Sequence, residues 1–576
     1  MTTPGVHEPR VLQPAGSVDS IAPPARTLLL IAFVLALLPI ITDTARFHGD
    51  ERFYTDAAIG MVESGDFWTP RYPDGSIRLL KPVITYWAAA VPFKLFGISL
   101  FSARLLFLLA GVGVIVLTHQ LAKTVFRSNL AALFAALMMG SNIQLWTVAT
   151  RATPDVLLCL FVLISMLGFA RIWFLNDRSW IAPLMIYGGM GLAVQTKGLL
   201  GLCPLAANLL FWIVARPTAS PRRRLLHWPS LLCGLTLALF WYAIMLRRHG
   251  WDNLHDFYSD QVGSRLTWSV GFILGNFWTY LFAGVRHFLP WTLLLAGALV
   301  WCRSTLQNFW KQHRTECLFL LCLFVPLVFI FGLGNIRRSR YLIASYPMLA
   351  VLIAALLSEV SRNETLVRRL GMAVKFLGWV ALLLGIALLV LGAPVHGRLG
   401  LAGAMLAGVG IIPVLRRGHL QGSAPWLWLG TAALVGFVSF GSCVRPVFSP
   451  SPLVDIARQL PAITSPGSTL VTWRVSATDA ARLRLMTGSQ YSISALKTNM
   501  PVPAPTTSPV ITTAAGRELI LQASYELRPV TNRNERLRQS RFGRLALSVA
   551  EKSRTHAIPG YWIGIPPQPP GLPPQE

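Results

Sequence analysis

"FHGDERFYTDAAIGMVESGDFW", residues 47–68, begins a few positions beyond an apolar run that ends near Ile41. Its adjacent carboxylates, Asp50 and Glu51, stand at the lip of a hydrophobic span, where charge is costly unless it is paired or used. After Gly49 the stretch Asp50–Ser64 reads as a short helix closed by Gly65 and Asp66. Asp50 and Tyr54 are i,i+4 neighbours, and Phe53, Ala57, Met61 and Val62 supply apolar surface. Such a helix lies in the membrane interface instead of crossing it. A purely structural use for Asp50, an acid set against the helix dipole, competes with a chemical one.

Working outward, the 576 residues are 53% hydrophobic and 13% charged, with a mean hydropathy of +0.54. Soluble domains carry about a quarter charged residues, so the composition belongs to a multi-span membrane protein. The net charge of +27 comes without a basic arm interleaved with aromatics, which argues against nucleic acid. In a membrane chain such an excess sets topology or meets anionic lipid. The seven cysteines show no CxxC spacing, so neither a zinc site nor a disulfide framework is predicted. Residues 1–26 are polar, contain Pro23-Pro24 and are predicted to be a disordered cytoplasmic N-terminus. Leu28–Ile41 lacks a small-residue cleavage site and reads as a retained first helix.

Thirteen spans are predicted, near 27–43, 100–122, 129–148, 153–170, 180–196, 199–215, 229–246, 276–301, 316–334, 342–359, 372–391, 399–415 and 424–443. Alternate short loops carry most of the positive charge: Lys123 and Arg127, Arg171 and Arg178, Arg216 and Arg222 to Arg224, Arg303 to Arg314, Arg362 to Arg369, and Arg416 with Arg417. By the positive-inside rule these loops and the N-terminus are cytoplasmic, and the C-terminal tail is outside. The opposite face receives the outer loops 44–99 and 247–275 and the turns near 149–155, 195–198 and 335–341.

Cations on that outer face run against the charge rule, and ligand binding is one explanation; snorkelling of long side chains is the other. In "SIRLLKPVITYW" the proline biases Lys81 toward an extended backbone at the membrane edge, a suitable place to meet a lipid-linked phosphate. "WTVATRATPDVLL" puts Arg151 and Asp155 at a lip, and Asp155 after Pro154 also suits a helix first turn. "VQTKGLLG" holds Lys197 in a tight turn. "GNIRRSRYLIASYP" packs Arg337, Arg338, Arg340 and Tyr341 together, and guanidinium forks match phosphate oxygens. Acids and phosphate-binding cations on one face point to transfer chemistry on a lipid-linked phosphate, with a carboxylate as base and cations stabilising the leaving phosphate.

The stretch from Gly49 to Leu105, with its Asp-Glu and Lys-Pro elements, and the later Arg-x-Arg-Tyr resemble polyprenyl-phosphate-dependent glycosyltransferases of the GT-C fold. The nearest group is the aminoarabinose lipid A transferases, in a class that includes protein O-mannosyltransferases. The resemblance covers about residues 27–360, and Thr196-Lys197-Gly198 and Pro290-Trp291 also stand where such proteins have them. It implies a catalytic group of Asp50, Glu51 and Asp155, with Asp50 the leading base and Glu51 in support. It implies donor phosphate or sugar binding by Lys81, Lys197, Arg340 and Tyr341, to which the outer-face clusters add Tyr54, Arg151, Arg337 and Arg338. The implied reaction is direct displacement at the anomeric carbon, usually with inversion, releasing polyprenyl phosphate. The chain departs from the aminoarabinose transferases where they have Glu before Lys-Pro (here Leu80) and Glu-His in the second long loop. Aligned on Arg265, this chain has Gln261 and Val262. No metal or other cofactor is therefore predicted, and sugar and acceptor are left open.

The expected fold class is an all-α multi-pass GT-C domain over 27–443 with about 13 transmembrane helices, followed by a small extracytoplasmic α/β domain. That domain is placed at 446–565 within a tail of 444–576 that ends in Pro-rich "PPQPPGLPPQE". Strands or strand-helix alternations are expected in 468–475, 518–528 and 560–567, with a helix at 481–490. The expected partners are a polyprenyl-phosphate-sugar donor, an extracytoplasmic glycolipid, glycan or protein acceptor, and membrane lipid, with no nucleic acid. The expected location is a bacterial inner membrane. A flippase of polyprenyl-linked sugar and an oligosaccharide ligase are the rival readings.

Overall fold

The structure, a computed structural model, describes residues 22–43, 47–217, 222–261, 269–334, 338–416, 422–448, 451–496, 500–501, 508–530 and 561–566. Most of it is helical. Among these residues nine apolar helices are long enough to cross a membrane, and two further pairs are bent: Asn129–Gly140 with Ile143–Ala149 by 59°, and Val270–His287 with Trp291–Trp301 by 95°. The protein is therefore multi-pass, as its composition requires. Each of the thirteen expected apolar segments coincides with helix, but length alone credits nine crossings, or eleven with the bent pairs.

The first helix, α1 (Ala22–Ile41), is 20 residues long and apolar throughout Thr27–Ile41, which suits the expected first span, so the difference lies further along the chain. The run Ile181–Ala215 is two helices, α8 (Ile181–Lys197) and α9 (Cys203–Ala215), joined by a 3-10 turn. A Cβ on Gly201 would fall 2.2 Å from the Val194 backbone nitrogen. In a straight helix residues seven apart are separated by about 10 Å, so the chain doubles back at Lys197.

Local signals set the remaining breaks. Ser99 caps α4 (Leu100–Phe126) by accepting from the Ser102 N–H at 3.2 Å, and Arg127 ends it in the left-handed region. Between α5 (Asn129–Gly140) and α6 (Ile143–Ala149) the Asn142 side chain accepts from the Gln144 and Leu145 N–H groups, and its amide donates to the His287 carbonyl at 3.1 Å. One asparagine thus satisfies the bend and ties it to the second bent pair.

The basic loops gather at one end of the bundle. Arg127 donates to the Phe174 carbonyl at 3.0 Å, Arg224 to Asn176, and the Phe126 ring meets His313. The opposite end carries α2 (Glu51–Ser64), which matches the expected interfacial helix, including its stop: Gly65 is left-handed and its N–H bonds to the Met61 carbonyl. It also carries α3 (Ile84–Phe96), a helix within the expected outer loop 44–99 and too short to span.

On that end sits a five-stranded sheet of β1 (Thr469–Trp473), β2 (Ser492–Leu496), β3 (Val510–Thr513), β4 (Glu526–Pro529) and β5 (Tyr561–Ile565), in the order β2-β1-β3-β5-β4. β1 pairs in parallel with β2 and β3, and β5 is antiparallel to β3 and β4. The helix Ala477–Met486 provides the β1–β2 crossover and lies four residues earlier than expected. Arg517–Gln522 is helical, so only the end of the 518–528 segment is strand, and β2 and β3 were not foreseen. The unit is not self-contained: Ala481 and Leu485 belong to the membrane domain's core.

Two polar contacts fasten this domain to α2. Arg484 pairs with Asp56 at 3.2 Å, and the Ser489 hydroxyl donates to Glu63 at 2.8 Å. Burial pushes the Asp56 carboxyl up to about 6, with Arg484 and Arg52 pulling the other way. A folded-state pKa above the unfolded value means that the folded chain holds a proton the unfolded chain has lost, so stability falls as pH rises across that window. The stability of the wild type relative to Asp56→Asn, read by thermal unfolding, is expected to fall by at most about 3 kcal/mol between pH 4 and 6 and to stay level above it.

Candidate active site

The cavity is assembled from the acid pair outward. α2 begins at Glu51, and Asp50, at its N-cap, makes no side-chain capping bond. The carboxylate is directed instead at two guanidiniums: Arg338 and Arg340 both donate to its Oδ2. Arg340 also lies 3.5 Å from Asp155 Oδ2 through its Nε, and Lys197 Nζ donates to Asp155 Oδ1 at 2.7 Å. The Lys197 ammonium rests 4.3 Å from the centre of the Tyr341 ring. A chain of alternating charge, Arg338–Asp50–Arg340–Asp155–Lys197, thus joins residues far apart in sequence.

Local sequence explains each placement. Thr153 is extended and Pro154 occupies the first position of α7 (Pro154–Phe174), which delivers Asp155 in the first turn, almost fully buried. Gly198, at a positive φ of 64°, reverses the chain immediately after Lys197. Arg338 and Arg340 stand at the start of the helical segment Ser339–Val360. Burial alone would raise the Asp50 pKa, but the Arg340 hydrogen bond and charge, with Arg338, hold it below the usual carboxylate value.

His48 completes the approach. Its Nδ1 accepts from the Asp50 N–H at 3.1 Å, so that nitrogen is unprotonated. Burial, then Arg151 and Arg340, lower its pKa, and the ring is neutral at pH 7.

Eight of the eleven residues singled out from sequence line this one cavity: Asp50, Tyr54, Lys81, Asp155, Lys197, Arg338, Arg340 and Tyr341. Glu51 does not. It is fully buried beneath the cavity, paired with Arg104 through Nε–Oε2 at 2.8 Å and Nη2–Oε1 at 3.1 Å. The same carboxylate accepts from the His48 N–H at 2.7 Å and the Ala152 N–H at 3.1 Å. With both oxygens committed it braces the site and is removed from the group of reacting acids. Arg151 lies outside the cavity lining, near Glu51 and Arg104, where burial lowers its pKa. Arg337, Val262 and Arg265 fall outside the described residues.

Arg78, inside the quoted "SIRLLKP", is a cavity residue not among those singled out from the sequence. It lines the cavity, is 5% exposed, and sits 4.8, 5.6 and 5.3 Å from the ring centres of Phe53, Tyr54 and Tyr72. Its Nη1 donates to the Tyr86 hydroxyl at 3.4 Å, and its buried Nε has no partner. The surrounding aromatic residues were the available signal, since a cation buried in rings needs an anion or a π face. With Arg78 counted, five cations and two carboxylates face the cavity, an excess of three positive charges. Such a pocket suits an anion with more than one negative charge.

Residues 80–245 match the family model described as dolichyl-phosphate-mannose-protein mannosyltransferase. A protein of Aquifex aeolicus is 27% identical over 341 residues, which are 58% of this chain and 65% of that protein, so the chain spans a little under two thirds of that relative. The undecaprenyl phosphate-alpha-4-amino-4-deoxy-L-arabinose arabinosyl transferase of Enterobacter sp. (strain 638) is 24% identical over 71% of this chain and 75% of its own length. The crystal structure of ArnT from Cupriavidus metallidurans bound to undecaprenyl phosphate superposes with a TM-score of 0.64 at 19% identity, covering 90% of this chain and 97% of that one.

The superposition shows that the chain has the GT-C fold of that structure, and over residues 80–245 it is similar to the mannosyltransferase family that the model describes. Over most of its length the chain is similar to the aminoarabinose transferases.

Proposed function

We propose that the chain transfers a sugar from undecaprenyl phosphate, or a closely related polyprenyl phosphate, to an extracytoplasmic acceptor, a glycolipid before a glycan or protein. The observation that carries this reading is the convergence of Asp50, Asp155 and five cations around one cavity at the end of the bundle away from the basic loops. By the positive-inside rule that end is periplasmic, with the N-terminus cytoplasmic and the 444–576 tail outside a bacterial inner membrane.

The charge balance of the reaction fits the cavity. A sugar phosphodiester donor carries one negative charge; the polyprenyl phosphate that leaves carries up to two. Cations in excess of the resident acids therefore bind the departing group more strongly than the donor, which is transition-state stabilisation. The acceptor oxygen forms a bond to the anomeric carbon as the bond from that carbon to the phosphate oxygen breaks. The acceptor proton passes to Asp50. Both arginine bonds fall on its Oδ2, which leaves Oδ1 for the proton. Asp155 positions Arg340 and Lys197, and Lys81 and Arg78 complete the phosphate cradle.

The test is transfer of radiolabelled sugar from purified donor to envelope acceptors by the purified protein. Label is expected to become covalently attached to acceptor with release of polyprenyl phosphate. Movement of intact donor across a bilayer without bond formation would overturn the reading in favour of a flippase. Arg78→Leu, which keeps bulk among the rings and removes the charge, is expected to weaken undecaprenyl phosphate binding by about 1.5–3 kcal/mol in a direct titration.

A further inference from the structure

A second, larger cavity lies between α2, the turn over residues 69–75 and the C-terminal domain. α2 is the wall between it and the catalytic cavity. Asp56, Gly60 and Glu63, spaced at i, i+4 and i+7, face the second cavity, whereas Asp50, Phe53 and Tyr54 face the first. At 1.5 Å per residue the two stripes are offset by about 10 Å along the helix. Across from α2 the C-terminal domain contributes Arg484, Ser489 and Tyr491.

The charges here balance. Asp56 and Glu63 oppose Arg71 and Arg484, and all four are already engaged: Arg484 with Asp56, Arg71 with the Gly75 carbonyl at 2.9 Å, Glu63 with Ser489. A phosphate entering this cavity would meet two carboxylates beside two cations, with no net positive charge to receive it. A neutral polyol meets no such cost, because carboxylates accept from its hydroxyls while guanidinium, serine and amide groups donate to its oxygens.

Gly60 gives the cavity its depth. A Cβ placed there meets nothing within 4 Å, and its backbone is ordinary helix. Glycine in a helix interior is destabilising relative to alanine, and at this position only the missing side chain leaves room.

We propose that this cavity is a binding site for a neutral, hydroxyl-rich saccharide, the head group of the acceptor, separate from the cationic cavity that takes the phosphate. That the saccharide belongs to the acceptor rests on the glycosyltransferase reading; that the cavity binds one does not. Placement beside α2 would hold an acceptor at the wall of the cavity where Asp50 waits.

Chitobiose and maltotriose serve as probes, titrated by saturation-transfer NMR against the full chain in nanodiscs. Saturable binding of at least one is expected, lowered at least about tenfold by Gly60→Phe and retained in Gly60→Ala. Gly60→Phe is expected to bind undecaprenyl phosphate as the wild type does, which shows the fold and the phosphate cavity intact. No binding of either saccharide overturns the proposal. So does equal binding to Gly60→Phe, or displacement of the saccharide by glucose 1-phosphate or a neutral tripeptide at lower concentration. In the transfer assay Gly60→Phe should raise the KM for acceptor and leave that for donor unchanged. A wild type without transfer but with saccharide binding sinks the enzymatic reading alone.

Discussion

Asp50→Asn is expected to lower turnover by about 10²–10⁴ while undecaprenyl phosphate binds at least as tightly as before. Both halves of that result follow from Arg338 and Arg340. Their guanidiniums are bonded to Asp50, so a lipid phosphate and the Asp50 carboxylate would compete for the same donors. Asparagine removes the competing charge with little change in shape, and the arginines are freed for phosphate. Those pairs also make Asp50 a weak base, because they hold its pKa below the ordinary value. On the proposed function, a phosphate that draws the guanidiniums away would restore the carboxylate's basicity, so donor binding would ready the base. A depressed carboxylate contributes stability and activity above its unfolded pKa and loses both as pH falls through the folded one. Wild-type turnover should therefore be insensitive to Asp50 between neutrality and the ordinary carboxylate range. Single-turnover transfer and a binding titration on one preparation measure the two halves. Weaker binding together with lost turnover would assign Asp50 a structural role instead.

Much of this arrangement was legible in the sequence because charge in an apolar chain is conspicuous. Asp50, Asp155, Lys197 and the Arg338–Arg340 cluster each stand against long hydrophobic runs, and each lies in the cavity. The interfacial helix was legible for the same reason, since the Gly65 stop follows an amphipathic stretch of suitable length. What stayed hidden depends on partners distant in sequence. Glu51 looks as reactive as its neighbour until Arg104, 53 residues away, is seen to occupy both of its oxygens. Arg78 reads as one more interfacial cation until Phe53, Tyr54 and Tyr72 close around it. β2 and β3 escaped notice because "SISAL" and "VITT" are short, and pairing with β1 rather than their own pattern makes them strands.

Glu51→Gln, or Arg104→Leu, is expected to destabilise the protein by about 3–5 kcal/mol, the second largest effect anticipated for a single substitution. Both side chains are completely buried, so removal of either leaves an uncompensated charge or its desolvated partner. Double substitution with apolar residues should recover part of the loss, because no unpaired ion then remains. The pair also carries geometry. Arg104 donates to the Ile41 and Asp43 carbonyls at 3.0 and 3.1 Å, which fixes the end of α1, while Glu51 takes the His48 and Ala152 N–H groups. Ala152 lies three residues before Asp155, and His48 two before Asp50. One buried carboxylate therefore sets the position of the two cavity acids relative to each other. Thermal unfolding in detergent reads the stability arm, and turnover at a temperature where the variants remain folded reads the geometric one. The double variant separates these arms: it should regain melting temperature without regaining turnover, since apolar packing restores burial but supplies no acceptor for the His48 and Ala152 amides. Full recovery of turnover in that variant would mean that the surrounding helices alone hold Asp50 and Asp155 in place.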